Sequence, residues 1–297
     1  MNKDIVTTIF SQYCLGIADI NISIKANTDN WKFEVFNQYL DFVRDLKSRK
    51  PDVDIVAHYG KIPEYKLNNP IFYEKSLKLS FYQNSRGYIL KSPSRLMVLD
   101  QTLSSGDIYI KRPSPIVFRY YPLQHPLDKI LMLNLLASRQ GAMVHSCGVD
   151  YGGNGLLFVG TSGAGKSTMA KLWDKNHDVL KDKVVILNDD RVIVRKIGNC
   201  IWLYGTPWHG DARLYSPAGA VLKKILFIKH SKCNSLKEIK PLEAISRLLG
   251  HSLAAFWDKK NLECSLDLYA ALVKKIPCYE LGFIPDKSVL DYIKNKI

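Results

Sequence analysis

The clearest chemical signal in the chain is a glycine-rich segment with the spacing of a phosphate-binding loop, Gly160-Thr161-Ser162-Gly163-Ala164-Gly165-Lys166-Ser167. It matches the pattern G-x-x-x-x-G-K-[ST] at every fixed position. An apolar run at 156–159 precedes the loop, and a stretch with helical spacing, 168–173, follows it. The sequence therefore predicts a strand, a loop and a helix that together bind a nucleoside triphosphate.

The residue types in this loop have separate roles in binding a polyphosphate. Gly163 and Gly165 permit backbone conformations and a close approach that a Cβ atom would prevent. Successive N–H groups and the helix N-terminus attract anions. We expect Lys166 to act catalytically by contacting the β- and γ-phosphates, and the Ser167 hydroxyl to bind Mg²⁺. The predicted nucleotide-binding residues are Gly160, Thr161, Ser162, Gly163, Ala164, Gly165, Lys166, Ser167 and Thr168.

An acidic pair follows the apolar run at 184–187 and consists of Asp189 and Asp190. A carboxylate at the end of a strand beside a phosphate loop commonly serves Mg²⁺. The other carboxylate could accept a proton from an attacking hydroxyl, and repulsion between neighbouring carboxylates raises the pKa of one of them. A solvated turn is the alternative, because an Asn-Asp-Asp run suits a loop.

A second group of polar residues lies in a loop that contains Gly and Pro, after the predicted strand Cys200–Tyr204. Loops that a rigid scaffold positions often contact substrate, so His209, Asp211 and Arg213 are candidate substrate residues. A guanidinium pairs well with phosphate oxygens, so Arg213 could face charge that develops on a transferred phosphoryl group. The alternative is a loop with a structural role only.

The order of these motifs resembles the HPr kinase/phosphorylase family, which shares a core with phosphoenolpyruvate carboxykinases. The resemblance rests on His145, a strand–turn–strand, the glycine-rich loop and the segment 189–192. It implies an ATP- and Mg²⁺-dependent kinase. It also implies a base and a metal contact at the aspartate pair, with Asp189 favoured as the base and Asp190 joining Ser167 as a metal ligand. His145 would lie near the phosphoryl site in a supporting role.

A narrower resemblance, in segments 204–210 and 275–279, points to HPr-kinase-like proteins that accompany peptide-maturation enzymes. Some members of that subgroup phosphorylate a serine of a precursor peptide, so the resemblance implies a peptide or protein serine as the acceptor. Thr168 stands where bifunctional members usually have Glu, and the segment 205–208 replaces their downstream Gly-rich segment. Both departures argue against phosphorylase activity and against HPr as the substrate.

The chain divides into two regions of different pattern. Residues 1–125 predict a strand-rich N-terminal domain, a candidate for substrate recruitment, interrupted by one amphipathic helix from Trp31 to Leu46. Residues 126–297 predict the catalytic domain. The expected fold is α/β (α+β), with a P-loop kinase core of the HPr kinase/phosphoenolpyruvate carboxykinase type. The strands expected in the first domain are Asp54–His58, Ser76–Tyr82, Tyr88–Lys91, Arg95–Asp100, Asp107–Arg112 and Val117–Tyr121.

The second domain is expected to mix strands and helices. A helix over Pro126–Ser138 leads into a hairpin of Ala142–Val149 with Gly155–Val159. The strands expected after the glycine-rich loop are Val184–Leu187, Val192–Lys196, Cys200–Tyr204, Ile225–Lys229 and Cys278–Phe283. The later helices expected are Pro241–His251, Leu266–Lys275 and Asp286–Lys294.

The composition limits the class of protein. Of 297 residues, 46% are hydrophobic, which excludes general disorder. The net charge of +14 favours anionic partners. We recognise no nucleic-acid-binding module and no run long enough to span a bilayer, so we expect neither nucleic acid nor membrane as a partner. Dispersed cysteines and the absence of a signal-peptide pattern predict a cytoplasmic protein.

Three functions remain open from the sequence. The first is an ATP-dependent kinase that phosphorylates a hydroxyl, either of a serine in a peptide or protein or of a small molecule. The second is a nucleotide-gated regulatory module that binds ATP without transferring a phosphoryl group. The third, a decarboxylating carboxykinase, would need more metal ligands and an Arg-rich carboxylate site, which we do not find in order. A homo-oligomer is also left open.

Overall fold

The structure is a computed structural model that describes residues 8–28, 32–45, 50–111, 121–176, 183–255 and 257–296. Packing divides the chain into two compact units, Met1–Met132 and Leu133–Ile297. Each unit contains a large sheet and helices are few, so the fold is mixed α/β. None of the helices in the described ranges combines the length and apolar character that crossing a bilayer requires.

The first unit is almost entirely β-structure. Its described elements are β1 (Thr8–Phe10), β2 (Gln12–Ile17), β3 (Ile20–Ala26), β4 (Phe33–Val35), α1 (Asn37–Leu40), β5 (Val43–Arg44), β6 (Val53–Gly60), β7 (Phe72–Glu74), β8 (Leu79–Asn84), β9 (Gly87–Lys91), β10 (Arg95–Asp100) and β11 (Ser105–Lys111). Nine strands form one sheet in the order β5-β2-β3-β6-β11-β10-β9-β8-β7. Within it, β6 runs parallel to β3 and β11, and the other pairs are antiparallel. β1 pairs with β4.

The helix predicted over Trp31–Leu46 is wrong. Within its described part, Phe33 and Val35 are fully buried on either side of Glu34 and belong to a strand paired with β1. A single helical turn, α1, follows, and the segment 43–44 then pairs with β2. The apolar residues fit a helical period, but pairing with strands distant in sequence decides the local structure. Both ends of the predicted helix lie outside the described residues.

The remaining strand predictions in the first unit hold in most places. The strand Arg95–Asp100 is confirmed with the same ends, and the strands predicted at 54–58 and 88–91 are confirmed with ends that shift slightly. The strand predicted at 107–112 begins earlier, at Ser105, and its last predicted residue lies outside the described residues. The strand predicted from Ser76 begins only at β8, after a turn. Of the strand predicted at 117–121, only the last residue is described. The sequence missed β2 and β3, which bury residues on both faces and so lack clear alternation.

The second unit carries the glycine-rich loop. The helix α2 (Leu127–Ser138) crosses the division between the units. The other elements are β12 (Gly141–Tyr151), β13 (Asn154–Val159), α3 (Lys166–Lys175), β14 (Val184–Asn188), β15 (Arg191–Ile197), β16 (Cys200–Tyr204), β17 (Gly219–His230), β18 (Ser235–Glu238), α4 (Pro241–Gly250), β19 (Ser252–Leu253), α5 (Lys259–Lys275), β20 (Cys278–Phe283) and α6 (Ser288–Lys294).

The sheet of the second unit runs in the order β13-β12-β15-β16-β17-β20-β18. β13 also pairs in parallel with β17. The strands β13, β12, β15, β16 and β17 therefore form a closed ring of paired strands. Helices cover both faces. α3 and α6 pack on a cluster around Phe158 and Trp173, and α4 and α5 pack on a cluster around Leu157 and Tyr269. Successive residues of β13 thus point into opposite layers, which anchors the strand that leads into the loop.

Most elements predicted for the second unit are confirmed, including the strand, loop and helix at 154–175. Helix α5 begins at Lys259, earlier than the predicted Leu266. The Asp258 carboxylate caps this helix by accepting the N–H of Lys260, a start signal that the prediction overlooked. The short strands β18 and β19 were not predicted, because so few residues show little period.

Candidate active site

The glycine-rich loop joins the end of β13 at Val159 to the start of α3 at Lys166. Gly163 has a φ of 81° and Gly165 a φ of 99°, which residues with side chains rarely adopt. A Cβ atom on Gly165 would lie 2.7 Å from Cζ of Phe283. The two glycines therefore allow the loop to turn tightly at the helix N-terminus.

Lys166 is buried against the loop that precedes it. Its Nζ donates hydrogen bonds to the carbonyl oxygens of Gly160, at 2.8 Å, and Thr161, at 2.9 Å. Burial lowers the pKa of Lys166, and the Asp190 carboxylate partly opposes this shift. The ammonium group is thus held beside the loop, where a bound anion would favour its charged form.

Several donors of the loop have no partner within the described part of the chain. The N–H groups of Ser162, Gly163 and Gly165 meet no hydrogen-bond acceptor there. The N-terminus of α3, a helix of 10 residues, begins next to them. Unpaired amides, a helix N-terminus and a lysine make a concave site that matches the oxygens of a polyphosphate.

A buried asparagine shapes the turn that carries the acidic pair. Asn188 Oδ1 accepts the N–H groups of Asp190, at 2.7 Å, and Arg191, at 2.8 Å. Its Nδ2 donates to the carbonyl of Thr206 at 2.8 Å, and the Thr206 hydroxyl donates to the carbonyl of Arg191 at 2.6 Å. The turn is therefore tied to the segment that follows β16. Asn188 directly precedes the acidic pair, but the sequence pattern pointed to it only as part of a possible solvated turn and not as the residue that shapes the site.

Asp190 lies between a histidine and an arginine. Its Oδ1 is 2.8 Å from Nε2 of His145, and its Oδ2 is 2.8 Å from Nη1 of Arg191. His145 and Arg191 are partners across β12 and β15, which places both beside the turn. Burial raises the pKa of Asp190, but the hydrogen bond from His145 and the charges of Arg191, His145 and Lys166 outweigh it. The pKa of Asp190 therefore lies below its ordinary value, and the side chain is a carboxylate at neutral pH.

Asp189 occupies a different environment from its neighbour. It is 1% exposed, and its carboxylate accepts the N–H of Gly210 at 2.8 Å and that of Ala212 at 2.9 Å. A Cβ atom on Gly210 would lie 2.8 Å from Asp189 Oδ2, so the loop passes close to this carboxylate. Asp189 does not line the cavity described below. The geometry thus favours Asp190 over Asp189 as the group that meets a substrate, the reverse of the sequence-based preference.

The loop after β16 presents the candidate substrate residues. His209 Nδ1 lies 2.9 Å from the carbonyl oxygen of Gly210, and its ring stacks on Tyr215 with centroids 5.2 Å apart. Arg213 has a φ of 55°, a left-handed conformation that is uncommon for a residue with a side chain. Together with the bonds from Gly210 and Ala212 to Asp189, the stacking of His209 on Tyr215 connects this loop to its surroundings at several points.

One cavity of about 790 Å³ is lined by the glycine-rich loop, by the turn that carries Asp190 and by the segment 209–213. The predicted site residues that line it are His145, Ser162, Gly163, Gly165, Lys166, Ser167, Thr168, Asp190, His209, Asp211 and Arg213. The predicted residues that do not line it are Gly160, Thr161, Ala164 and Asp189. The structure therefore places the loop, the turn and the segment 209–213 around one space.

Sequence reasoning missed His230 and Gly210 in the cavity lining. His230 Nε2 lies 2.9 Å from the carbonyl oxygen of Gly163, and its ring stacks on Phe283 with centroids 5.8 Å apart. The parallel pairing of β13 with β17 brings the ends of these strands together, although they are far apart in sequence. The available signal was the position of His230 at the end of a predicted strand, which is a weak signal by itself.

Magnesium is the metal that the sequence motif predicts. No group of three or more His, Cys, Asp or Glu side chains within the described ranges is arranged to hold a metal ion. Ser167 and Asp190, the predicted ligands, both line the cavity. A hydroxyl and a carboxylate fit Mg²⁺, because that ion usually takes only one or two protein ligands and completes its shell with water and phosphate oxygens.

Comparison with known proteins adds no family assignment. No family model matches the chain, and no curated protein matches it either. The interpretation of the site therefore rests on its residues and their geometry.

Proposed function

We propose that the chain is an ATP- and Mg²⁺-dependent kinase, with a P-loop core of the HPr kinase type, that transfers the γ-phosphoryl group to a hydroxyl. The observation that carries this proposal is the single cavity that Lys166 and Ser167 line together with His145, Asp190 and Arg213. Phosphoryl transfer needs cations and N–H groups for the phosphates, and a carboxylate for the proton of the acceptor. The lining of this cavity contains all of these groups.

The loop is suited to hold the phosphates of the nucleotide. Lys166 and the N–H groups of Ser162, Gly163 and Gly165, which have no acceptor among the residues that the structure describes, would contact their oxygens. Ser167, which lines the cavity, would hold Mg²⁺ together with phosphate oxygens and water, and Asp190 takes the separate role of proton acceptor. When bound, the ion supplies positive charge that offsets the charge on the phosphate oxygens.

Asp190 accepts the proton of the acceptor hydroxyl as the hydroxyl oxygen attacks the γ-phosphorus. A new O–P bond forms, the bond to the β–γ bridging oxygen breaks, and ADP leaves with that electron pair. The low pKa of Asp190 keeps it ionised and able to receive a proton at neutral pH. His145 and Arg191 hold the carboxylate oriented, each through one oxygen.

Positive charge from the segment 209–213 in the cavity lining complements the phosphoryl group. Arg213 lines the cavity in a loop that Asp189 ties down through Gly210 and Ala212. A guanidinium held in place can stabilise the equatorial oxygens of a transferring phosphoryl group without reorganising during the reaction. The ammonium group of Lys166, held beside the glycine-rich loop, can stabilise the phosphoryl oxygens in the same way.

The acceptor we propose is a serine hydroxyl of a peptide or protein, as the resemblance to the peptide-maturation subgroup implies. A small-molecule hydroxyl is the alternative acceptor within the same chemistry. We place the protein in the cytoplasm, where ATP is abundant. All six cysteines are free thiols, which supports a reducing location.

The proposal is tested by measuring transfer from γ-labelled ATP to a panel of serine-containing peptides, proteins and small alcohols, with nucleotide binding followed by calorimetry. Lys166→Ala should weaken nucleotide binding by about 10- to 100-fold, since it removes a charged contact. Asp190→Asn should reduce transfer by about 10²- to 10⁴-fold. It should leave binding nearly intact when that is measured without Mg²⁺.

Two exposed residues serve as matched controls: Lys171→Ala on the same helix as Lys166, and Asp267→Asn on α5. Both variants should behave like the wild-type protein. If the wild-type protein binds ATP but labels nothing in the panel, the regulatory-module function replaces the kinase. If it binds no ATP, both functions are wrong.

A further inference from the structure

The first unit contains a second cavity, of about 680 Å³, at one end of its large sheet. Lys61, Lys91 and Lys111 line it, and we call it the lysine cavity. Lys61 directly follows β6, while Lys91 and Lys111 are the last residues of β9 and β11. Gly60 is the partner of Lys111 in the parallel pair β6–β11, and Leu96 is the partner of Lys91. The register of the sheet therefore brings the three ammonium groups to the same end.

The lysine cavity has an excess of positive charge. Lys61, Lys91 and Lys111 are all exposed, and none makes an ion pair with a carboxylate within the described ranges. Glu64 is the only acidic residue of the lining. Three like charges around one concave space repel one another, and an anionic ligand would relieve that repulsion.

The rest of the lining is largely apolar. Leu96, 1% exposed, contributes from the sheet, while Ile62, Pro63 and Leu67 contribute from the segment that follows β6. Tyr65 of the same segment is 39% exposed.

Contact with the sheet holds the segment after β6 in place. Burial, the Asp107 carboxylate and a hydrogen bond with Tyr65 raise the pKa of Tyr109 to about 12. Tyr109 also stacks on His58, with ring centroids 4.7 Å apart. Tyr65 thus ties the segment that lines the cavity to the sheet.

We propose that the lysine cavity binds an acidic, partly apolar segment of a peptide or protein. Carboxylates of the segment face Lys61, Lys91 and Lys111, and its apolar side chains cover the half-buried Ile62, Pro63 and Leu67. This proposal does not depend on the nucleotide chemistry of the second unit.

Charge and chemistry favour this occupant over two others. The segment 112–120 of this chain follows Lys111 directly, but it carries two arginines and no acidic residue, so its charge does not complement the lysines. A nucleic acid would be better served by arginines and stacked aromatic rings, whereas this lining offers lysines, aliphatic side chains and one tyrosine.

The test measures fluorescence anisotropy of short fluorescein-labelled peptides with the full-length protein at about 0.15 M salt. The probe is a peptide in which Glu and Leu alternate. Comparison peptides replace Glu by Gln, or Leu by Ser at unchanged charge. The triple variant Lys61→Ala/Lys91→Ala/Lys111→Ala should bind the probe at least about tenfold more weakly. Ile62→Ser should also weaken it, by about threefold.

The matched control is Lys25→Ala/Lys50→Ala/Lys75→Ala, which removes the same charge from exposed positions of the first unit outside the lining. It should change the affinity by less than about twofold, and both comparison peptides should bind weakly. Equal losses in the two triple variants would show a general charge effect and overturn the proposal. So would tighter binding of a single-stranded oligonucleotide at the same lysines. An absence of binding of the probe would also overturn it.

Discussion

At the scale of single residues, the most informative contacts are the two that His145 and Arg191 make with the Asp190 carboxylate. Each holds one carboxylate oxygen at 2.8 Å, so the orientation of the carboxylate is determined from both sides. The same contacts lower its pKa against the opposing effect of burial. If Asp190 is the base of the proposed reaction, it is ionised over a wide range of pH but is a weak base, so its position contributes more than its basicity.

Replacing His145 by Ala should move the acidic limb of the pH–rate profile to higher pH. The substitution removes a hydrogen bond and a charge that lower the pKa of Asp190, while burial, which raises it, remains. The pKa of Asp190 therefore rises, and the ionised base is lost at a higher pH than in the wild-type protein. The measurement is kcat/KM for phosphoryl transfer as a function of pH. His230→Ala, in the same cavity but bonded to the carbonyl of Gly163, should leave the limb in place. If the acidic limb of the profile stays at the same pH in His145→Ala, the group that titrates there is not Asp190.

At the scale of elements, the glycine-rich loop depends on two backbone positions that differ in their surroundings. Gly163 and Gly165 both have positive φ values. A Cβ atom on Gly163 meets nothing within 4 Å, whereas one on Gly165 meets the ring of Phe283. The two positions therefore separate backbone strain from steric overlap.

We expect Gly163→Ala to lower the free energy of unfolding by about 1–2 kcal/mol through backbone strain alone. Gly165→Ala should lower it by about 1–3 kcal/mol more, because the Phe283 ring must also move. Urea unfolding of the two variants gives the difference directly. Equal losses would contradict the close packing of the loop on β20.

The second element-scale prediction concerns Asp189 and the loop that contains Gly210 and Ala212. In Asp189→Asn, an NH₂ group faces one of the two backbone N–H donors, so one hydrogen bond is lost inside the protein. We expect a loss of about 1–3 kcal/mol in unfolding free energy and a fall in kcat of about tenfold or more, as Arg213 loses its position.

Nucleotide affinity should stay nearly unchanged in Asp189→Asn, because the two hydrogen bonds to Asp189 come from Gly210 and Ala212 and not from the glycine-rich loop. Asp150→Asn is the control, because Asp150 also accepts a backbone N–H, from Gly153, but in an exposed hairpin turn. If kcat and nucleotide affinity fell together in the Asp189 variant, the role of Asp189 would be general rather than confined to its loop.

At the scale of the whole molecule, the net charge of +14 should speed the capture of anionic nucleotides. We expect the association rate constant for ATP to fall severalfold as salt rises from about 0.05 M to about 0.5 M, because screening shortens the reach of the field. The dissociation rate should change less, since it depends on contacts within the cavity. Stopped-flow measurements with a fluorescent nucleotide analogue give both rates, and an association rate independent of salt would show that the charge is not directed at the site.

Much of the second unit was predictable because its signals are local. The loop motif, the apolar strand before it and the acidic turn after β14 are each contiguous in sequence, so residue type and order are sufficient to recognise them. The first unit was less predictable. The apolar residues of its segment 33–46 fit a helical period, yet residues 33–35 and 43–44 pair with strands distant in sequence, which determines their structure.

The sequence by itself determined that the chain contains a phosphate-loop motif and an acidic pair, because those patterns depend only on neighbouring residues. Only the tertiary structure decided that Asp190, and not Asp189, lines the cavity, and that His230 joins the loop. Neighbouring residues in a turn can point in opposite directions, and the pairing of distant strands determines which of them meets the cavity.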